Sequence, residues 1–158
     1  MSLVIRSFEK GDQSRILDCI AELQEAERRL DPRLRPGAEI AQAYLAELQA
    51  RCIEQAGAIL VAEQAGEVVG FAAVQTHVPY VELDDPPGEF ALVSDLVVLT
   101  SARHQGVGRA LLESVEQFAR SEGVTELRIG VLAANAPARH LYHRLGFSPQ
   151  FEVFAKRL

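Results

Sequence analysis

Arg103, His104, Gln105, Gly106, Val107, Gly108 and Arg109 run consecutively, two glycines between two arginines. Glycine lets a backbone curl around an anion and approach it closely. The first turn of a helix leaves N–H groups unpartnered and carries partial positive charge. A turn of this composition at the start of a helix is a candidate phosphate cradle. It is not a Walker A loop, since no Lys-Ser or Lys-Thr pair follows. It is not a Rossmann turn, since Leu111 stands where a third glycine or alanine belongs. Elsewhere, Asp95 interrupts an apolar run, and Glu82, Asp84 and Asp85 make an acidic loop that reads as a solvated one. Asn135 precedes a helical pattern, and Tyr142 sits beside that helix's apolar stripe with a phenol that needs a partner. His77, His104, His140 and His143 lack a ligand spacing supported by carboxylates, so no metal site is expected.

These residues need elements to hold them. Residues 91–98 form a nearly continuous apolar run, a strand buried on both faces. A polar loop over 100–105 leads to a helix with Val107, Leu111, Val115 and Phe118 on one face. Upstream, 3–8 reads as a strand, and Asp12 is placed to N-cap a helix over 14–29 that carries Ile16, Ile20 and Leu23 inward. Two prolines make 31–37 a loop. A second helix over 38–55 turns Ala41, Tyr44 or Leu45, Leu48 and Cys52 inward. Strands at 58–63 and 67–78 flank a turn, and 79–88 is a loop. Downstream come a strand at 125–132 and a helix at 136–145, with Asn135 as its N-cap, Pro137 in its first turn and Gly146 as its stop. Residues 151–156 alternate as a last strand. The order β-α-α-β-β-β-α-β-α-β predicts a mixed sheet covered by helices on both faces.

The whole chain sets outer bounds. Its 158 residues suit one domain, 1–158, and 48% hydrophobic with 24% charged residues is ordinary for a globular protein. A net charge of -6 gives no electrostatic support to a nucleic-acid partner and suits a cationic one. Cys19 and Cys52 read as buried free thiols. The N-terminus lacks a signal-peptide pattern and no run is long enough for a membrane span, so the expectation is cytoplasmic, with no membrane partner.

The pattern R-x-x-G-x-G from Arg103 to Gly108, preceded by Asp95, Leu96, Val97 and Val98, resembles the signature of the GNAT N-acetyltransferase superfamily. A second stretch resembles that family's N-x-x-A-x-x-L-Y-x-x-L-G-F at every fixed position: Asn135, Ala138, Leu141, Tyr142, Leu145, Gly146 and Phe147. The resemblance implies an α/β (α+β) fold with a mixed, mostly antiparallel sheet. The family usually closes with two strands after its last helix, and residues 147–158 have room for about one. It also implies acetyl transfer from acetyl-CoA to an amine by direct attack in a ternary complex.

Under that reading the sheet splays beside the strand ending at Val98, and the pantetheine arm pairs with the backbone of Leu96 and Val98. Leu96, Val97 and Val98 line that arm. Arg103, His104, Gln105, Gly106, Val107, Gly108 and Arg109 hold the pyrophosphate, Asn135 joins the cofactor site, and Tyr142 gives a proton to the departing thiolate. Polyamine acetyltransferases of the family carry a glutamate where Ser94 stands here, so the base stays open among Asp95, Glu89, Glu82 and a water chain. The loops 79–88 and 31–37 are expected to shape the acceptor site. Three functions follow: acetylation of a small-molecule amine, acetylation of a peptide or protein amine, or acyl-CoA sensing without catalysis. A closed acidic pocket supports the first and an open groove the second. The acceptor, the acyl-chain preference and the oligomeric state, a homodimer included, are not fixed by the sequence.

Overall fold

Alternating apolar residues along 58–79 fold into a hairpin at the core of one five-stranded sheet. The computed structural model describes residues 2–158. Its strands are β1 (Leu3–Ser7), β2 (Ala58–Gln64), β3 (Glu67–Pro79), β4 (Glu89–Val98) and β5 (Leu127–Ile129), and its helices α1 (Gln13–Leu30), α2 (Gly37–Glu54), α3 (Val107–Ser121) and α4 (Ala136–Arg144). The strands lie side by side in chain order. Pairing is antiparallel from β1 to β4 and parallel between β4 and β5. The mixed, mostly antiparallel sheet flanked on both faces is the expected one.

Each face has its own core. Against α1 and α2 pack Val61, Phe71, Ala73 and Val97, meeting Ile16, Ile20, Leu45 and Leu48. Against α3 pack Ala72, Val74, Ala91 and Val93, meeting Val107, Leu111 and Val115. Full burial of a side chain such as Phe71 or Leu111 contributes roughly 1.5–3 kcal/mol each. Cys19 and Cys52 are buried free thiols, and burial pushes the Cys19 thiol up to about 12.

Three expectations change. Asp12 does not cap α1 with its side chain. It ends a 3-10 turn, Lys10–Asp12, and its carboxylate takes two guanidinium hydrogen bonds from Arg6, at 2.8 and 2.9 Å, and one from the Glu9 N–H. A nearby arginine competes with the helix N-terminus for the same oxygens, and the charge-assisted pair wins. The strand expected over 125–132 pairs only at Leu127–Ile129, because β5 then leaves β4. Residues 151–156 form no strand. Phe151, Val153 and Phe154 are all exposed, so alternation alone, without a paired edge, did not make one.

Candidate active site

The strand β4 changes face part-way along. Asp95 pairs with Ala73 and Val93 with Val74, so Ser94 is an extra residue, a β-bulge. The bulge turns Asp95 and Val97 toward α1 and α2, and Ala91 and Val93 toward α3. On its outer edge β4 pairs with β5 only from Ala91 to Val93. From residue 94 onward the two strands part. Leu99 donates its N–H to Val69 of β3 at 2.9 Å. By the two-residue period of a strand, Leu96 and Val98 therefore present their backbone groups to the open side. The Val98 carbonyl there already accepts from Arg103 Nε at 3.0 Å. Val97 is turned into the core instead.

The glycine turn follows within ten residues. Gly106 has φ 81° and is the residue before α3, where no side chain caps the helix. The first backbone bond there runs from the Ala110 N–H to the Gly106 carbonyl at 3.0 Å. The N–H groups of His104, Gln105, Gly106, Val107, Gly108 and Arg109 have no backbone partner among the described residues. That ring of free donors fits a pyrophosphate. The side chains are otherwise occupied: Arg103 by Val98 and, at 3.5 Å, Glu22; Gln105 by the Ser101 carbonyl at 3.2 Å; Arg109 by Glu113 at 2.7 Å. Gly108 lies inside the helix, and a Cβ there would sit 3.3 Å from Leu141 and 3.7 Å from Val98. It permits α4 and β4 to close on α3; the left-handed backbone of the turn belongs to His104, with φ 62°, and Gly106.

Where β4 and β5 part, a cleft of about 450 Å³ opens, bordered by Asp95, Leu96, Gly130, Leu132, Asn135 and Tyr142 on the strand side. The Asn135 side chain accepts from the Ala138 N–H at 3.2 Å, capping α4. This fixes the helix that carries Tyr142, whose ring also lies 5.9 Å from that of Phe147. Burial, with the charge of Glu27 behind it, pushes the Tyr142 hydroxyl up to about 12. A larger groove, about 830 Å³, lies beside β5 between the end of α3 and residues 145–150. It is lined by the signature residues Leu145, Gly146 and Phe147 but by none of those expected to do chemistry.

Of the three carboxylates weighed as bases, Asp95 alone borders the cleft. Glu89 is bound to His77 Nδ1 at 2.6 Å, and Glu82 lies in the exposed loop. Neither the loop 79–88 nor the loop 31–37 lines the cleft. Its far wall is made by Ile20, Leu23, Gln24 and Glu27 of α1 with Ile40 and Tyr44 of α2. Among the described residues no group of three or more His, Cys, Asp or Glu could hold a metal ion, and no helix is long and apolar enough to cross a membrane.

The family model for the acetyltransferase (GNAT) family matches residues 19–147. The chain belongs to that family. Aminoglycoside N(6')-acetyltransferase type 1 of Klebsiella aerogenes is 32% identical over 113 residues, 71% of this chain and 73% of that protein. Streptothricin acetyltransferase of Streptomyces lavendulae is 35% identical over 83 residues, 52% of this chain but only 40% of that protein. Among solved structures, AAC(6')-Iy in complex with the bisubstrate analogue CoA-S-monomethyl-acetylneamine matches with a TM-score of 0.73 at 21% identity, over 100% of this chain and 99% of that one. At that identity the likeness concerns the fold.

Within this GNAT chain the residues that sequence reading passed over are Glu27 and the hydroxyl of Tyr44. Glu27 had a signal. Ile16, Ile20, Leu23 and Glu27 are spaced by four, three and four, so the acid continues the buried stripe of α1. Tyr44 donates its hydroxyl to Asp95 Oδ1 at 2.7 Å across 51 residues of sequence. Only the tertiary fold makes that contact.

Proposed function

We propose that the chain is a single-domain, acetyl-CoA-dependent N-acetyltransferase that acetylates a primary amine of a small molecule in a ternary complex. The observation that carries this is the cleft at the β4–β5 divergence. Its volume, about 450 Å³, is in the range of small-molecule sites. It joins the open edge of β4 to a space bordered by α1 and α2. The relatives named as aminoglycoside and streptothricin acetyltransferases agree with a small acceptor.

When bound, acetyl-CoA supplies the acetyl group as a thioester. The free amides of His104, Gln105, Gly106, Val107, Gly108 and Arg109 hold its pyrophosphate, and the open backbone groups of Leu96 with the Val98 N–H hold the pantetheine arm. A backbone N–H near Val98 serves the developing negative oxygen. Asn135 anchors α4. Tyr142, whose hydroxyl burial holds protonated and which has no hydrogen-bond acceptor among the described residues, keeps a proton ready for the sulfur. Asp95 sits on the acceptor side.

Release of free thiol from acetyl-CoA, followed with amine, amino-acid and peptide panels, tests the proposal. Turnover with small amines and none with peptides is the expected result. Turnover restricted to peptides would replace the acceptor class, and tight CoA binding without any turnover would make the chain a sensor.

A further inference from the structure

Building on the amine acetyltransferase reading, we infer that Glu27 of α1 and Asp95 of β4 form a two-carboxylate seat for cationic acceptors, with Glu27 as the residue that rejects acceptors carrying a carboxylate. Both groups border the same cleft, from different elements. Asp95 is 5% exposed, and its Oδ2 is buried without a hydrogen-bond partner. Its other oxygen is held by Tyr44 at 2.7 Å. A buried carboxylate oxygen with no donor costs free energy unless a ligand donor satisfies it.

Among the described residues no cation does so. Arg51 is the one arginine whose charge reaches Asp95, and its guanidinium is engaged by Glu47 at 2.7 Å. Glu27 makes no side-chain hydrogen bond or ion pair among the described residues, although the Arg28 that follows it is paired with Glu25 at 3.0 Å. The remaining titratable groups facing the seat are the phenols of Tyr44 and Tyr142, both held protonated by burial. Burial raises Glu27 and Asp95 above the ordinary carboxylate range, and the charge of Asp95 adds to the shift at Glu27. An ammonium ion entering between them removes that mutual cost and gives Oδ2 its donor. A free carboxylate on the acceptor would meet two negative charges and no cation.

Three amines of matched length test this: butylamine, 1,4-diaminobutane and 4-aminobutanoate. Their binding is read first without acetyl-CoA, as thermal shift and by calorimetry. The wild-type protein should bind 1,4-diaminobutane best and 4-aminobutanoate not measurably. Glu27→Gln, which keeps the side chain's shape, should weaken diamine binding by about 10–100-fold, the usual size of a charge-assisted hydrogen bond. It should narrow the gap between diamine and 4-aminobutanoate, and Glu27→Asp should recover part of both. In turnover, KM for the diamine should rise far more than kcat falls. Equal binding of the three amines by the wild type, or unchanged diamine affinity in a folded Glu27→Gln, overturns the seat. Diamine preference that depends on Glu27, with no turnover on any amine, leaves the seat standing and overturns the acetyltransferase reading.

Discussion

The two walls of this site are built from different material. On one side, the turn before α3 offers backbone N–H groups while its arginines and glutamine are spent on neighbouring atoms. On the other, the cleft under α1 and α2 offers side chains: Glu27, Tyr44, Asp95 and Tyr142, drawn from four elements. A backbone wall depends on dihedral angles and tolerates many side chains. A side-chain wall depends on burial and on which groups lie next to one another. In the proposed reaction, holding the donor would fall to the first. Choice of acceptor would fall to the second.

The largest expected effect is on the side-chain wall. Tyr142→Phe keeps the ring that packs near Phe147 and deletes the hydroxyl. General acid catalysis is typically worth ~10²–10⁴-fold, so kcat should fall by about that much while CoA affinity holds. Near-normal kcat, measured where chemistry limits the rate, would mean that water supplies the proton.

Tyr44→Phe comes next. It strips Asp95 of the hydrogen bond from Tyr44, which should cost about 1–3 kcal/mol. The pH dependence has a definite sign. Burial holds the Asp95 carboxyl above its ordinary value of 3.8. As pH rises past that value the unfolded chain ionises first, so stability falls until the folded carboxyl ionises too. Losing the Tyr44 donor raises the folded value further. The variant's deficit should therefore be larger near about pH 8 than near about pH 4. Equal deficits by denaturant titration would show that the hydroxyl does not support a charge.

On the backbone wall, Gly106→Val tests the left-handed residue. The added Cβ meets open space, so strain at φ 81° is the only local cost. That strain is roughly 1–2 kcal/mol. Asparagine tolerates the conformation better, so Gly106→Asn should lose less. CoA affinity should fall about tenfold for valine and by less for asparagine, since 1.4 kcal/mol is a factor of ten. The same loss in both would point to side-chain crowding rather than dihedral strain.

The two walls were unequally readable in sequence. A glycine turn is local, so six consecutive residues and a helix pattern were enough to place it at the start of α3, and Asn135 to Phe147 announced α4 in the same way. The acceptor wall joins positions dozens of residues apart. The loops 79–88 and 31–37 were expected to shape it, and neither lines the cleft. Helix faces took their place. The bulge at Ser94 decides which way Asp95 points, and a bulge leaves no mark in an apolar run. Glu27 was the one legible trace, an acid on an otherwise apolar stripe. The last strand failed for the opposite reason: residues 151–156 have the alternation, but strand structure comes from a partner edge, which alternation cannot specify.

The smallest expected effect separates the walls most sharply. If the pyrophosphate is held by amides, neutralising Arg109 should matter little. Its Nε lies 2.7 Å from Glu113, one helical turn on, and the side chain is 63% exposed. Such a pair is solvated and screened over a Debye length of about 8 Å at physiological salt. Arg109→Gln removes a positive charge and leaves Glu113 unopposed near the helix start, so a modest loss of CoA affinity, less than about threefold at ~0.15 M salt, is expected, as for exposed pairs in general. That loss should shrink as salt rises. Glu113→Gln added to Arg109→Gln should restore the wild-type affinity, because the double variant has the same net charge and the same amides. A tenfold or greater loss in Arg109→Gln that Glu113→Gln does not repair would make the arginine a phosphate clamp, and the donor wall would then be built of side chains like the other.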